Sequence, residues 1–151
     1  MLTAMKNVDT LLRLTTNLIN FSKANVYSSS LRISEHELNT YMEGICHAFY
    51  SYAEAKQIKL DYKSNFEYQN VWFDKEKMDS ITKNLISNAI KYTPAHGEVH
   101  IIICHDKDNW SLEITDTGIG IPAKEQKKLF KLHFRGSNAI NAKITGSGIG
   151  L

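Results

Sequence analysis

Apolar positions recur at helical spacing from the start of the chain. Met5, Val8, Leu12 and Ile19 fall on one stripe, and Leu11, Leu14, Leu18 and Phe21 on a neighbouring one. Together they cover a face too wide for one surface helix on a small core, and a helix of that kind sits in a bundle. The pattern runs from Met1 to about Ser28, where the polar run Ser28-Ser29-Ser30 breaks it. No second long helix precedes it. Its partners are therefore expected from sequence outside this chain, from another copy, or from the rest of the domain.

The pattern then changes several times. Leu31 to Ile33 reads as a brief strand. Ser34 is a candidate N-cap, with Glu37 three residues on completing a capping box. A second helix is predicted over about Glu35–Gln57, with Leu38, Ile45, Phe49, Tyr52 and Ala53 on its apolar side. Ile58–Tyr62 alternates as a strand does, and Asn70–Phe73 reads as another. Asp74 is placed to cap a third helix, Lys75–Tyr92, whose expected buried stripe is Met78, Ile81, Leu85, Ala89 and Tyr92. Thr93 and Pro94 stop it, and His96-Gly97 turns the chain. Glu98–His105 and Trp110–Thr115 read as a hairpin joined by a loop at Asp106–Asn109. Two glycine-rich stretches follow, Asp116–Pro122 and Thr145–Leu151, and no internal repeat is seen.

Composition adds bounds rather than identity. The 151 residues suit one domain, or one domain with an appendage. With 42% apolar and 23% charged residues the chain has a globular balance, which argues against disorder. The longest aliphatic run, Ile101–Cys104, is far short of the ~20 residues of a membrane helix. The first 25 residues lack the apolar block of a signal peptide. The expectation is a soluble, intracellular chain. A formal charge of +2 does not by itself point to nucleic acid. The lysines 124, 127, 128 and 131 read as a solvated helix face, since a nucleic-acid patch would interleave aromatics. Cys46 and Cys104 fit no metal spacing and are expected to be reduced core thiols.

Three segments carry chemistry. In KNLISNAIKY, Asn84, Asn88 and Lys91 lie at i, i+4 and i+7 and share one helix face, pointing away from Leu85 and Ala89. A carboxamide oxygen can ligate Mg²⁺, and an ammonium can neutralise a phosphate. A solvated helix face explains the same residues equally well. In ITDTGIGIP, an acidic residue at a strand end precedes Gly118 and Gly120. An ionised carboxylate only accepts hydrogen bonds, and glycines allow close approach. The pair suits a purine with an exocyclic amine, although an ordinary glycine loop is the commoner reading. In TGSGIGL, Gly146, Gly148 and Gly150 alternate and can offer backbone N–H groups to phosphate. Neither stretch has P-loop spacing, and neither opens a strand–loop–helix unit with GxGxxG.

Taken in order, these segments resemble the ATP-binding catalytic domain of sensor histidine kinases. That family's superfamily also holds type II topoisomerases, mismatch-repair ATPases and heat-shock chaperones. Asn84, Asn88, Lys91 and Tyr92 match its asparagine box, and Asp116, Gly118 and Gly120 its first glycine box. Phe130, Phe134, Arg135 and Gly136 match its phenylalanine box in part, with His133 where the second phenylalanine usually stands. Gly146, Gly148 and Gly150 match its second glycine box. Leu14–Lys23 (LTTNLINFSK) looks like the end of its second dimerisation helix.

The resemblance implies a fold and a set of roles. The fold is α+β, a two-layer sandwich of a mixed sheet with helices on one face, preceded by a long helix. Residues 1–30 would be a remnant of the dimerisation helix and 31–151 the catalytic domain. The family continues past the second glycine box with a helix and two more strands, so ATP binding by the chain alone is expected to be weak or absent. Asn88 would ligate Mg²⁺, with Asn84 supporting metal and phosphates. Lys91 would contact a phosphate, and Tyr92 would lie near the adenine or ribose. Asp116 would accept the adenine amino hydrogen, and Gly118, Gly120 and Ile121 would line the nucleotide. Gln126–Lys143 would be a mobile lid from which Arg135 reaches the phosphates, and Gly146–Gly150 would line the triphosphate.

In the hydrolysing relatives a glutamate that activates water stands at the place of Asn84. A neutral amide is no general base, so Asn84 favours transfer of the ATP γ-phosphate to a protein histidine over hydrolysis. A superfamily ATPase or a non-catalytic nucleotide-binding module remains the alternative. The implied partners are a second copy through the first helix and a response-regulator receiver domain, with no nucleic acid and no membrane contact by this segment. The implied location is cytoplasmic, in a protein anchored to the inner membrane. His36 (HELNT) resembles the phosphoacceptor motif but has Tyr41 where the proline belongs, and lies after the dimerisation helix. It is read as a decoy, with the acceptor outside this chain. His105 before Asp106 is read as structural.

Overall fold

A computed structural model of the chain describes residues 30–107, 109–131, 134–142 and 144. The helix read over Met1–Ser28, residues His133 and Lys143, and the second glycine stretch lie outside the described residues.

The first element is a strand, β1 (Ile33–Glu37), paired antiparallel with β3 (Asn70–Asp74) from Ile33 opposite Asp74 to Glu37 opposite Asn70. This moves two expected boundaries. The strand is not Leu31–Ile33, and Ser34 does not cap a helix beginning at Glu35. The ladder to β3 holds the backbone extended through Glu37, and α1 (Leu38–Ala55) starts after it. Glu37 is itself the N-cap, accepting from the N–H groups of Asn39 (3.1 Å) and Thr40 (2.6 Å). It also accepts from Gln69 N–H at 3.1 Å, so the cap ties the helix to the approach to β3. His36 lies in this strand, its ring 4.8 Å from that of Phe73 and hydrogen-bonded to Ser34 Oγ.

α1 buries Leu38, Met42, Ile45, Cys46 and Ala53, with Phe49 packed beside them. Tyr52 is 44% exposed, outside the stripe expected of it. α2 (Lys75–Tyr92) has the bounds the sequence predicts, with Asp74 Oδ1 accepting from Lys77 N–H. Its buried face is rotated from the expected one. Thr82, Ile86, Ala89 and Ile90 are buried, whereas Ile81 is 53% exposed and Met78, Leu85 and Tyr92 are only partly covered. The sheet selects that side because Ile86, Ala89 and Ile90 share one core with Val99 and Ile101.

The sheet has the order β2–β4–β5, with β2 (Lys59–Ser64) parallel to β4 (Glu98–Asp106) and β4 antiparallel to β5 (Asn109–Asp116). It is mixed, as expected, but β1 and β3 form a separate two-stranded ribbon. The hairpin is tighter than the loop the sequence suggests, since Asp106 already pairs with Asn109 and Lys107 takes φ +45°. Leu60, Val99, Ile101 and Ile103 turn to the helices, and alternation puts Lys59, Asp61, Glu98 and His100 on the other face in an ion cluster. Cys104 shares that other face and is half-buried, so only Cys46 is a core thiol; burial pushes its pKa up to about 12. Two short helices follow, α3 (Ala123–Gln126) and α4 (Ser137–Asn141). The four lysines are exposed, but α3 ends before Lys127, so three of them occupy turns rather than a helix face.

Candidate functional site

The asparagine-bearing helix and the first glycine loop are joined by backbone. β5 ends at Asp116, and the chain then crosses the C-terminal end of α2, where Ile119 N–H donates to the carbonyl of Tyr92 at 3.1 Å. Asp116 Oδ1 accepts from Gly118 N–H at 2.9 Å, which leaves Oδ2 outside that turn. Gly118 has no room for a side chain, because a Cβ would stand 2.4 Å from Asp116 Oδ1 and 2.7 Å from Tyr92 O. Gly120 serves differently, adopting φ +63° with open space around it.

The loop's base is pinned as well. Thr117 N–H donates to Glu98 O at 3.0 Å, and Glu98 N–H donates back to Thr117 Oγ1 at 2.8 Å. On α2, Asn84 is exposed while Asn88, Lys91 and Tyr92 are half-buried. Lys91 Nζ lies 4.7 Å over the Tyr92 ring and donates to its hydroxyl at 3.2 Å. The helix end is closed by Lys56, whose Nζ donates to the carbonyls of Ile90, Lys91 and Thr93. Partial burial holds the Lys56 pKa below its ordinary value.

The segment after the loop folds back on it. Asn138 Nδ2 donates to the carbonyls of Ile119 (3.1 Å) and Gly120 (2.8 Å). Glu125 Oε2 accepts from Ser137 N–H at 2.9 Å, a bond that holds its carboxyl below the usual range. Phe130 is 82% exposed. Arg135, expected to reach phosphate, donates from Nη2 to the carbonyl of Ile144, and its buried Nε has no partner among the described residues.

The structure thus brings Asp116, Gly118 and Ile119 to Tyr92 at the end of the helix that carries Asn84, Asn88 and Lys91, with Gly120 and Ile121 following in the same loop. It does not turn Arg135 towards them. Sequence reasoning missed Lys56 and Asn138. Asn138 had a weak local signal, standing at the start of a short helix after a glycine; Lys56 had none, since its acceptors lie 34 to 37 positions on. Among the described residues no group of three or more His, Cys, Asp or Glu side chains stands together. A cation here would therefore rely on carboxamide oxygens and on its ligand's own phosphates. A hard cation such as Mg²⁺ accepts that donor set, and the closely packed Gly118 backbone leaves the approach to Asp116 free of a side chain.

Comparison with known proteins shows a family and a fold. The model of the histidine kinase-, DNA gyrase B- and HSP90-like ATPase family matches residues 73–151. "Histidine kinase P4" of Formosa agariphila is 30% identical over 147 residues, covering 93% of this chain, which spans only 10% of that relative's length. Among solved structures, full-length ShkA in complex with AMPPNP superposes with a TM-score of 0.81 at 19% identity, over 96% of this chain and 30% of that one. Histidine kinase ThkA in complex with the response regulator TrrA gives a TM-score of 0.75 at 22% identity, over 91% of this chain and 41% of that one. At those identities the structures speak for the fold. With a helix end, an acidic strand end and a glycine loop assembled as described, and the family model covering all three, this chain belongs to the histidine kinase-, DNA gyrase B- and HSP90-like ATPase family.

Proposed function

We propose that residues 31–151 form the ATP-binding catalytic part of a sensor histidine kinase, with residues 1–30 the end of its dimerisation helix. The observation that carries this reading is Asp116. It stands at the end of β5 with one carboxylate oxygen committed to the Gly118 turn and the other outside it, beside a loop bonded to the helix of Asn84, Asn88 and Lys91. An acceptor next to bare backbone recognises the exocyclic amine of adenine. Asn88, supported by Asn84, would offer amide oxygens to the metal and phosphates, and Lys91 on the same helix would supply positive charge. Mg²⁺, when bound with ATP, neutralises phosphate charge. Asn84, as an amide, holds position and takes no proton, which favours transfer to histidine over activation of water.

ShkA bound AMPPNP and ThkA bound a response regulator in their solved structures. By analogy we assign this chain ATP as its nucleotide and a receiver domain as the phosphoryl acceptor after the histidine, and from the sequence resemblance we assign Mg²⁺ and a second copy joined through residues 1–30. No helix among the described residues is long and apolar enough to cross a membrane. We place this part on the cytoplasmic side of a protein anchored to the inner membrane.

The test uses the complete protein and its Asp116→Asn variant. Asn keeps an Oδ1 acceptor for Gly118 but replaces the free acceptor with an NH₂ donor. Titration calorimetry with Mg²⁺ and a non-hydrolysable ATP analogue should show at least about a tenfold loss of affinity in the variant. Labelling from γ-labelled ATP should appear on histidine in the unmodified protein. Equal affinity in both proteins, or a preference for GTP, would sink the assignment of Asp116.

A further inference from the structure

Lys56 belongs to none of the motifs of the nucleotide site, yet it closes the helix that carries them. It follows the last residue of α1 and sends its ammonium to the end of α2. There it donates to the carbonyls of Ile90 (2.6 Å), Lys91 (3.2 Å) and Thr93 (3.4 Å). The last carbonyls of a helix have no partner within it, and a cation there meets the negative end of the helix dipole. Four consecutive carbonyls, those of residues 90 to 93, are thus divided between two users. Lys56 takes three, and the fourth, Tyr92 O, receives Ile119 N–H from the glycine loop.

Lys56 is itself held in place. Its own N–H donates to Ala53 O, and the next residue, Gln57, turns at φ +57°. His96 N–H then donates to Gln57 O at 2.8 Å, and Lys59 N–H to Gly97 O at 3.0 Å. The turn after α1 and the turn after α2 are one bonded unit, with the ammonium at its centre. Peptide planes in the last turn of a helix are free to tilt unless something fixes them. Here the flanking carbonyls are fixed on both sides of Tyr92.

We infer that Lys56 is a positioning residue for the nucleotide site: by pinning the carbonyls of Ile90, Lys91 and Thr93, it aims Tyr92 O at Ile119 N–H and sets the Asp116–Gly120 loop against Asn84, Asn88 and Lys91. The inference rests on reading that site as nucleotide-binding. It gives the first domain helix a direct route to the site, through one side chain. It also separates Lys56 from a plain helix cap, whose loss would lower stability and leave the loop alone.

The experiment compares Lys56→Met, Lys56→Gln and Lys56→Arg in the complete protein with Ile45→Val, a core change on α1 away from the helix end. Three quantities are read: melting temperature, affinity for Mg²⁺ plus a non-hydrolysable ATP analogue, and hydrogen-exchange protection of the Ile119 amide. Lys56→Met and Lys56→Gln should each lose about tenfold in affinity and in Ile119 protection, as expected for a lost charge-assisted hydrogen-bond set. Lys56→Arg should recover most of both. Ile45→Val should lower the melting temperature and leave affinity and Ile119 protection within about twofold of the unmodified protein. The inference is overturned if either neutral variant folds and keeps affinity and protection, or if Ile45→Val loses them to the same degree. If the unmodified protein binds no nucleotide, the nucleotide reading falls, and protection at Ile119 still decides the role of Lys56.

Discussion

Gly118 and Gly120, two positions apart, show how finely single residues are specified. At Gly118 a methyl group would collide with Asp116 Oδ1 and with the Tyr92 carbonyl, one of which is backbone and cannot rotate away. At Gly120 a methyl group would meet nothing, and the cost is only that of a left-handed backbone, φ +63°. Gly118→Ala should therefore displace the loop from the helix end, destabilising by about 1–3 kcal/mol and weakening nucleotide binding. Gly120→Ala should cost about 1 kcal/mol and leave the Ile119–Tyr92 bond in place. Denaturant titration gives the first quantity, and calorimetry with an ATP analogue gives the second. Equal losses of affinity in the two variants would contradict the division of roles.

Elements show where local signals decide and where they lose. α2 is bracketed by its own neighbours, Asp74 at one end and Thr93-Pro94 at the other, so its bounds were legible. The start of α1 was not. The local capping box from Ser34 to Glu37 competes with a β-ladder to residues 70–74, and the ladder wins, setting His36 over Phe73, which Tyr41 of α1 covers as well. A pairing that far along the chain leaves no mark in a short window. The same holds for the face of α2, where the sheet buries Thr82 in preference to Ile81. In the site, the Asn and Gly positions were legible because their spacing is itself the signal. Lys56 was not, since a lysine after a helix looks the same with or without a second helix end beside it. The corrected boundary has a consequence. Glu37→Ala removes the acceptor of three backbone N–H groups and should cost about 1–2 kcal/mol, whereas Ser34→Ala should cost less than about 0.5 kcal/mol. Urea unfolding of the two variants distinguishes the ladder from the capping box.

Across the whole molecule, carboxylates clamp one element to the next, and this fixes the response to acid. Burial of Glu37 pulls its pKa up, but the bonds from Thr40, Gln69 and Asn39 outweigh that and hold it below the ordinary 4.5. The N–H groups of Arg32 and Lys77 hold Asp74 below the ordinary 3.8. Asp79, on α2, accepts from Tyr41 on α1 at 2.6 Å and from Lys83 at 2.8 Å; these bonds outweigh its partial burial and hold it below 3.8. In each case the folded state binds its proton less readily than the unfolded chain does. Stability from these groups is fully present above the unfolded pKa values and is lost as pH falls through the lowered folded ones. The contribution of these three groups should therefore be unchanged from pH 7 to about 5 and fall away below about 4. Asp79→Asn should flatten part of that slope while lowering stability at neutral pH, because the amide keeps an acceptor for Tyr41 but loses the ion pair with Lys83. Urea titrations at intervals from pH 7 to 3 measure both. A stability that rose on acidification would contradict the part given to the clamping carboxylates Glu37, Asp74 and Asp79.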